Sequence, residues 1–546
     1  MGELASGSET RDSQDRLGVD PAGAGRKNGC LSQEVCRAAR GSGYRPQQWV
    51  GRARQKSAEA IVPERSQGRA EQTATRDHGR ARTGMRQHAR QLGFDWGEVG
   101  EARPAPVKAS PPEPVPDRTG ALAQTVMEEV VEAANLRRAL KRVRSNKGSP
   151  GVDGMTTRDL PAYLKEAWPR LKEELLDGTH RPQPVKRVEI PKPGGGTRAL
   201  GIPTVVDRFI QQAILQVLTP VYDPTFSPSS YGFRPGKSAH QALEAGRQHV
   251  ASGRIWVVDL DLETFFDRVN HDVLVGRLAK RIGDARVLRV IRRYLEAGIL
   301  ADGVVIERHE GTPQGGPASP LLANILLDEL DRELARRGHA FCRYADDIQI
   351  YVRSQRAGER VLASVARFLG RRLRLTVNHA KSGVARSGER TFLGYRIRGR
   401  AQAHLGIAPE SVKRAKATMR RITKRNRGVS FGRVVTELGT FTNGWVGYFW
   451  RARTPSTFEK LDRWIRRRLR CYLWKQWKTS RRRAHNLRLL RPASTSLQDP
   501  GLPPGTRGGP WRAAGSPALK QALSNGALSQ LGFHSLHQRY LALAAG

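Results

Sequence analysis

Apolar residues along this chain change period several times, and each change marks out an element. In "MEEVVEAANLRRALKRVRSNKGSPGVDG", Val130, Ala134, Leu136 and Leu140 recur at roughly helical spacing before a Gly/Pro loop. "VKRVEIPKPGGGTRALGIP" alternates, turns on a run of glycines and alternates again, which predicts a hairpin. "DRFIQQAILQVLTPVYD" is apolar at 209, 210, 213, 214, 217 and 218, one face of a buried helix. "RIWVVDLDLETFFDRVNHD" opens as a strand, apolar at Ile255, Val257 and Val258, and ends in Asp259 and Asp261. "FCRYADDIQIYV" reads as two short apolar strands with a tight polar break between them. From about 255 to 400 strands and helices alternate, so an α+β core is expected. Beyond about 405 the period is helical. "LDRWIRRRLRCYLWKQWKTSRRR" carries ten basic residues and one acid, Asp462, interleaved with aromatics. A Gly/Pro-rich link then leads to a short amphipathic end, "ALKQALSNGALSQLGFHSLHQRYLAL".

Composition changes this picture at the N-terminus first. Residues 1–120 are rich in Gly, Ser, Arg, Gln and Pro with few periodic apolar positions, which predicts disorder, because too little apolar surface is available to offset ordering entropy. The folded enzyme is expected to begin near Met127. Charge comes next: 94 Lys+Arg against 51 Asp+Glu give a formal net charge of +43 over 546 residues. Such a charge repels itself unless a polyanion accepts it, and nucleic acid gains from counterion release on binding. No apolar run reaches membrane-spanning length, so a membrane partner is not expected. The four cysteines, Cys30, Cys36, Cys342 and Cys471, form no CxxC pair and read as reduced thiols of a cytoplasmic protein. "MGELAS" matches a myristoylation pattern in form, with no second anchor after it.

Against that charge, Asp346 and Asp347 stand side by side between two apolar strands. Asp is common in hairpin turns. Here the flanks are apolar enough for central strands, and a second strand end upstream also delivers carboxylates. Two Mg²⁺ ions prefer oxygen ligands and, about 3.5–4 Å apart, stabilise the attacking and leaving oxygens of a phosphoryl transfer.

"YADD" following "DLDLETFF" resembles the catalytic palm of reverse transcriptases, whose signature is Tyr-x-Asp-Asp. "GTPQGGPASPLLANILLDELD", "IPKPGGGTRALGIPTVVDR", "SYGFRPGKSAHQAL", "LTVNHAKSGV" and "RTFLGYRI" are similar to the blocks of group II intron-encoded reverse transcriptases, in the family's order. "GTFTNGWVGYF" with the basic helix after it resembles the maturase, or thumb, region, and "RGGPWRAAGSPALKQALSNGALSQLG" its short C-terminal extension.

The resemblance implies a right-hand polymerase: fingers and palm with antiparallel sheet over 121–400, an α-helical thumb (maturase) domain over 401–485, and a nucleic-acid-binding tail over 486–546. It implies Asp261, Asp346 and Asp347 as catalytic metal ligands for two Mg²⁺ ions, with Leu262 offering its backbone carbonyl. Asp259 competes for the upstream position; Asp261 is favoured because it lies five residues before Phe266, where the family places a bulky residue against the sugar 2′ position. Lys192 and Arg198, straddling the glycine turn, match triphosphate-contacting residues. Gln314 sits where the family contacts the nucleotide, with two glycines after it allowing close backbone approach, and Lys381 matches a lysine near the triphosphate. Tyr344 faces the primer end in the family, and "FLGY", Phe392 to Tyr395, resembles the primer grip. Arg463, Arg466, Arg467, Arg470, Lys475 and Lys478, among Trp464, Tyr472, Trp474 and Trp477, form a candidate RNA-backbone surface.

The implied activity is RNA-directed DNA synthesis with deoxynucleoside triphosphates from a DNA primer, together with intron RNA binding that assists splicing and supports mobility. The expected setting is the cytoplasm, next to the nucleoid. The paired histidines and cysteines of the endonuclease carried by many relatives are missing, so that activity is expected to be absent and the primer borrowed. A maturase with a vestigial polymerase and a domesticated defence enzyme share the same blocks.

Overall fold

The computed structural model describes residues 125–191, 197–301, 304–306, 310–312, 315–489 and 509–545. The expectations placed on residues 1–120, Lys192 and Gln314 lie outside them.

The first predicted helix is two, α1 (Val126–Val131) and α2 (Ala133–Ser145), separated by Glu132 in extended conformation. That single residue resets the helical phase, which corrects the expected buried stripe: Ala134 is exposed, while Asn135 and Ala139 are buried. Asn135 donates to the carbonyls of Val130 and Ala213 at 2.9 and 3.1 Å, so its buried amide is satisfied by the neighbouring helix. After α3 (Leu160–Leu176) come β1 (Val185–Pro191) and β2 (Thr197–Ile202), paired antiparallel from Lys186↔Ile202 to Pro191↔Thr197 as the alternation predicts. Helix α4 (Val205–Tyr222) starts at Thr204, whose hydroxyl accepts from the Asp207 amide at 3.1 Å, a capping hydrogen bond. Its 209, 210, 213, 214, 217 and 218 positions are all buried, as their spacing predicts.

Next are α5 (Ala239–Ala251), β3 (Trp256–Leu260), α6 (His271–Ala279), α7 (Ala285–Glu296), β4 (Ile299–Ala301) and β5 (Val304–Ile306). Strand β4 joins β1 in parallel, giving a first sheet of order β2-β1-β4-β5. Helix α8 (Ser319–Arg336) leads into the hairpin of β6 (Ala340–Tyr344) and β7 (Asp347–Val352), and α9 (Gln355–Phe368) into β8 (Gly383–Arg386). These strands form a second sheet, β6-β7-β3-β8, antiparallel throughout.

Alternation divides the second sheet between two cores. Val258 and Leu260 of β3 with Ile348 and Ile350 of β7 pack into one core with α8 and α9. Val257 and Tyr351 point the other way, into a core shared with α5, the small pair β9 (Tyr395–Arg398) and β10 (His404–Ile407), and the helices that follow. Because side chains alternate, the face that carries Val257 also carries Asp259 and, one step on, Asp261.

The helical region comprises α10 (Pro409–Ile422), α11 (Phe431–Phe449), α12 (Pro455–Gln476) and α13 (Ser480–Leu489), with α14 (Gly509–Ala513), α15 (Pro517–Ala522), α16 (Asn525–Gln530) and α17 (Leu536–Ala545). The last four, which lie in the expected C-terminal tail, pack on the helical domain. Leu519, Leu523, Leu528, Phe533, Leu536 and Tyr540 are buried in the same core as Phe458, Leu461, Ile465 and Leu469 of α12. Tyr540 stacks on Phe458 at 4.4 Å, worth about 0.5–1.5 kcal/mol beyond burial.

Asp462, the lone acid of the basic run 461–483, explains this docking. It is 1% exposed and accepts from the Ser535 hydroxyl at 2.5 Å and the amides of Leu536 and His537 at 2.9 and 3.2 Å, capping α17. Arg466 lies 3.6 Å away as its counter-charge. Asp462→Ala should therefore cost about 2–3 kcal/mol. Amide exchange at Leu536 and His537 should accelerate toward the open-chain rate while β3 and β7 stay protected; unchanged exchange there would show that the cap does not hold the tail.

Candidate active site

The hairpin of β6 and β7 closes on two residues, with Tyr344↔Asp347 the last register pair. Ala345 takes φ +59° and Asp346 does not take a positive φ, the pattern of a type II′ turn, which favours glycine at its first position. An alanine there stores about 1–2 kcal/mol of strain, so its surroundings must hold it.

They do so through Arg343. Its side chain is fully buried and satisfied on several sides. It forks to Asp331 at 2.6–3.0 Å, donates to Asn324 Oδ1 and Ser230 Oγ at 2.8 Å each, and reaches the carbonyl of Ala345 at 3.0 Å. Asn324 in turn donates to the Gly232 carbonyl at 2.8 Å. A Cβ on Gly232 would stand 2.3 Å from the Ala345 nitrogen, so only glycine lets that segment lie against the turn. Helix α8, the "SYGFRP" segment and the carboxylate turn thus share one buried guanidinium. Sequence reasoning missed it; the signal was an arginine inside an otherwise apolar strand.

Strand β3 brings the second carboxylate. Leu260 pairs with Ile348 as the last pair of the register, so Asp261 directly follows one strand end and Asp347 directly precedes Ile348 on the other. The backbone of Asp261 is held from both sides: its amide donates to Ser382 Oγ at 2.9 Å, and its carbonyl accepts from Ser382 Oγ at 3.2 Å and the Asn378 amide at 2.9 Å. Asn378 Oδ1 accepts from the amides of Ala380 and Lys381, shaping the loop that brings Lys381 Nζ to 3.4 Å from Asp261 Oδ2. With side chains 68% and 40% exposed, that pair is solvent-screened and worth about 0–1 kcal/mol, little resistance to a competing cation. Asp259 is differently placed. Burial pushes its carboxyl above the ordinary range, against the pull of Gln349, which donates to it at 3.2 Å, and of Arg390.

Leu262 forms a bridge with Val377 closed by the flanking Asp261 carbonyl and Glu263 amide, so its own carbonyl points away from Val377. Phe266 is half-buried and edge-on to Phe265 at 5.1 Å, and its carbonyl accepts from the Thr312 amide at 2.6 Å, tying it to the glycine-rich loop. Within that loop a Cβ on Gly315 or Gly316 would meet the Gly201 carbonyl or the Gln211 side chain, so glycine lets the loop lie close against β2 and α4. Arg198 occupies β2 opposite Ile190. Tyr344 is buried with its ring 6.3 Å from Phe233. The Phe392–Tyr395 turn packs on α11, with the Tyr448 hydroxyl donating to the Leu393 carbonyl at 2.8 Å.

On α12, three of the candidate RNA contacts are engaged within the protein, and of these only Arg470 is buried. Arg470 is buried and donates to the Leu523 carbonyl at 2.9 Å. Arg467 lies 4.2 Å over the Trp511 ring and donates to its carbonyl, and Arg466 pairs with Asp462. Arg463, Lys475 and Lys478 remain exposed. A second basic group, Lys416, Arg420 and Arg468, surrounds Trp464 at 5.3–6.0 Å. Tyr472 and Trp474 are buried.

Among the described residues no three His, Cys, Asp or Glu side chains are already drawn together as a metal cage. The residues present fit Mg²⁺ in kind: all-oxygen donors on two paired strand ends, one of them partly exposed and facing an ammonium group.

Residues 190–397 match the family described as reverse transcriptase (RNA-dependent DNA polymerase), and residues 412–490 match the group II intron maturase-specific domain. The chain is 33% identical over 316 residues to Protein YkfC of Escherichia coli, covering 50% of this chain and 83% of that protein. It is 38% identical over 195 residues to the group II intron-encoded protein LtrA of Lactococcus lactis, covering 36% of this chain and 32% of that protein. A solved partial Cas6-RT-Cas1–Cas2 complex shares 28% identity over 46% of this chain and 43% of its own, with a TM-score of 0.31; at that overlap the fold rests on strand order and register instead.

Arg343→Lys keeps the charge but loses the fork. It should destabilise the full chain by about 3–5 kcal/mol in urea unfolding, the cost of breaking a buried pair. Parental stability in that variant would show the fork to be dispensable.

Proposed function

This chain belongs to the group II intron-encoded reverse transcriptase family with a maturase domain, and from that membership we propose that it copies RNA into DNA at the joined ends of β3 and β7. The observation that supports the proposal is the Leu260↔Ile348 register, which brings the strand ends next to Asp261 and Asp347 together beside a turn held by Arg343. Asp261, Asp346, Asp347 and the Leu262 carbonyl would hold two Mg²⁺ ions. When bound, such ions lower the charge barrier between a primer 3′ oxygen and the incoming phosphate and steady the leaving oxygen.

The chain's own residues orient the reactants. Ser382 and Asn378 fix the Asp261 backbone, and Lys381, with Lys192, Arg198 and Gln314, would meet the triphosphate, where arginine can fork to phosphate and lysine acts as a point charge. Phe266 would crowd a ribose 2′-hydroxyl. The Phe392–Tyr395 turn, anchored on α11, would position the primer strand. Arg463, Lys475, Lys478 and the cations around Trp464 would contact the backbone of the intron RNA, assisting its splicing and, after insertion, its copying. No helix among the described residues is long and apolar enough to cross a membrane; the proposed setting is the cytoplasm, beside the nucleoid.

Primer extension by the full chain on an RNA template with a DNA primer tests this reading. Incorporation should require Mg²⁺ and be abolished by chelation, and Asp346→Ala should reduce it to background while RNA affinity stays within about twofold, ~0.4 kcal/mol. No incorporation by well-folded protein would overturn the polymerase reading, and lost RNA affinity in Asp346→Ala would overturn the separation of roles.

Phe266→Ala should raise ribonucleotide incorporation relative to deoxynucleotide by roughly tenfold, about 1.4 kcal/mol of discrimination. Unchanged discrimination would reduce Phe266 to a packing residue.

A further inference from the structure

Helix α9 carries a line of positive charge that the proposed chemistry does not use. Arg356, Arg360, Arg367 and Arg371 are all exposed. At 100° per residue, Arg356, Arg360 and Arg367 fall within about 40° of one line, and Arg371 continues that line into the wider turn after the helix. The opposite side of α9 is the packed one: Gly358 sits so close to β8 that a Cβ would stand 2.6 Å from Val384, and Val365 and Leu369 are buried. The arginine line therefore faces away from the sheet over about 22 Å.

Neighbouring α8 carries its arginines differently. Its Arg332, Arg336 and Arg337 pair with Asp328 and Glu333 at 2.6–2.7 Å. Among the described residues, no carboxylate forms an ion pair with Arg356, Arg360, Arg367 or Arg371. The acid on α9, Glu359, accepts from Gln355 at 3.0 Å. Arg353, Arg372 and Arg374 flank the line and are also exposed, with Arg372 sharing Glu329 at 3.8 Å.

Position in the fold separates this line from the catalytic edge. Helix α9 covers the sheet face carrying Val258, Leu260, Ile348 and Ile350, whereas Asp259, Asp261 and Asp347 belong to the opposite face, with Val257 and Tyr351. A template–primer seated at the carboxylates is screened from the arginines by the sheet and by a helix about 10 Å across.

We propose that the outer face of α9 is a second docking surface, for the phosphate backbone of double-helical RNA. Guanidinium groups fork to phosphate oxygens and are more weakly hydrated than ammonium groups, and the line is all arginine. Rises of about 6, 10 and 6 Å between successive members make two close pairs with a wider gap, which suits phosphates on two strands flanking a groove. Lipid is disfavoured because the exposed large apolar side chains among the described residues are Val305, Trp511, Leu531 and Leu541, and none is on α9. The choice of RNA over DNA rests on the family reading above; the surface itself does not depend on polymerase activity.

The test compares the full chain with an R356Q/R360Q/R367Q/R371Q variant, because Gln preserves helix propensity, and with the corresponding four-lysine variant, which keeps the charge. The probes are a long closed RNA hairpin without a recessed 3′ end, the matching DNA hairpin, and phosphatidylserine vesicles. In the Gln variant, affinity for the RNA hairpin should fall at least ~10-fold and the salt slope of binding should drop by about 3–4. Primer extension on a short template–primer should remain within about twofold, ~0.4 kcal/mol, and the lysine variant should retain most of the RNA affinity. Unchanged RNA affinity and slope overturns the proposal, as does a loss confined to DNA or vesicles. Parallel loss of primer extension would also overturn it, by showing that the line is not separate from the catalytic cleft. If the parent chain fails to extend primers, the hairpin measurement still reads the surface alone.

Discussion

Arg343 carries a full positive charge where water cannot reach it, and that constraint organises the centre of the protein. A buried guanidinium left without partners costs several kcal/mol, so each of its donors must find an acceptor at a fixed place. Asp331 supplies the counter-charge, Asn324 and Ser230 supply neutral acceptors, and the fourth partner is the carbonyl of Ala345, inside the strained turn that carries Asp346. The position of the turn is thereby set by the core rather than by local preference. An alanine can occupy a glycine-like conformation there because the surrounding network leaves it no cheaper arrangement.

From this anchor the sheet sorts its work by face. One face of β3 and β7 is buried under α8 and α9 and gives rigidity. The other meets α5, the Phe392–Tyr395 turn and the helical domain, and it carries the carboxylates to the edge where two strands end together. Acidic chemistry inside a chain of net charge +43 is then no contradiction. In the proposed function the basic surface would draw in polyanions, and the acids would gather the cations that bring such polyanions into contact.

Much of this was legible in the sequence because period and charge are local signals. The β1–β2 hairpin, the buried face of α4 and the "YADD" hairpin follow from spacing alone, and motif order identified the family. What was not legible depends on tertiary partners. Ala134 reads as a core position until Glu132 breaks the helix and shifts the phase. Arg467 and Arg470 read as part of a solvent-facing basic surface, yet they bond a docked C-terminal segment whose attachment point, Asp462, shows only as a lone acid in a basic run and is paired with Arg466. That Gly315 and Gly316 lie close against Gly201 and Gln211 is likewise invisible in the sequence. Ser382 and Asn378 lie more than a hundred residues from the Asp261 they hold, beyond the reach of any local pattern.

The central claim is that Asp261 and the Asp346–Asp347 pair form one divalent-metal site. Anomalous scattering from Mn²⁺ in crystals of the full chain with an RNA–DNA template–primer and a non-reactive deoxynucleotide tests it most directly. Two peaks about 3.5–4 Å apart, in contact with Asp261 and Asp346 and with Lys381 displaced from Asp261, are the expected result. Manganese bound elsewhere, with Lys381 still paired to Asp261 beside a seated primer end, would contradict it.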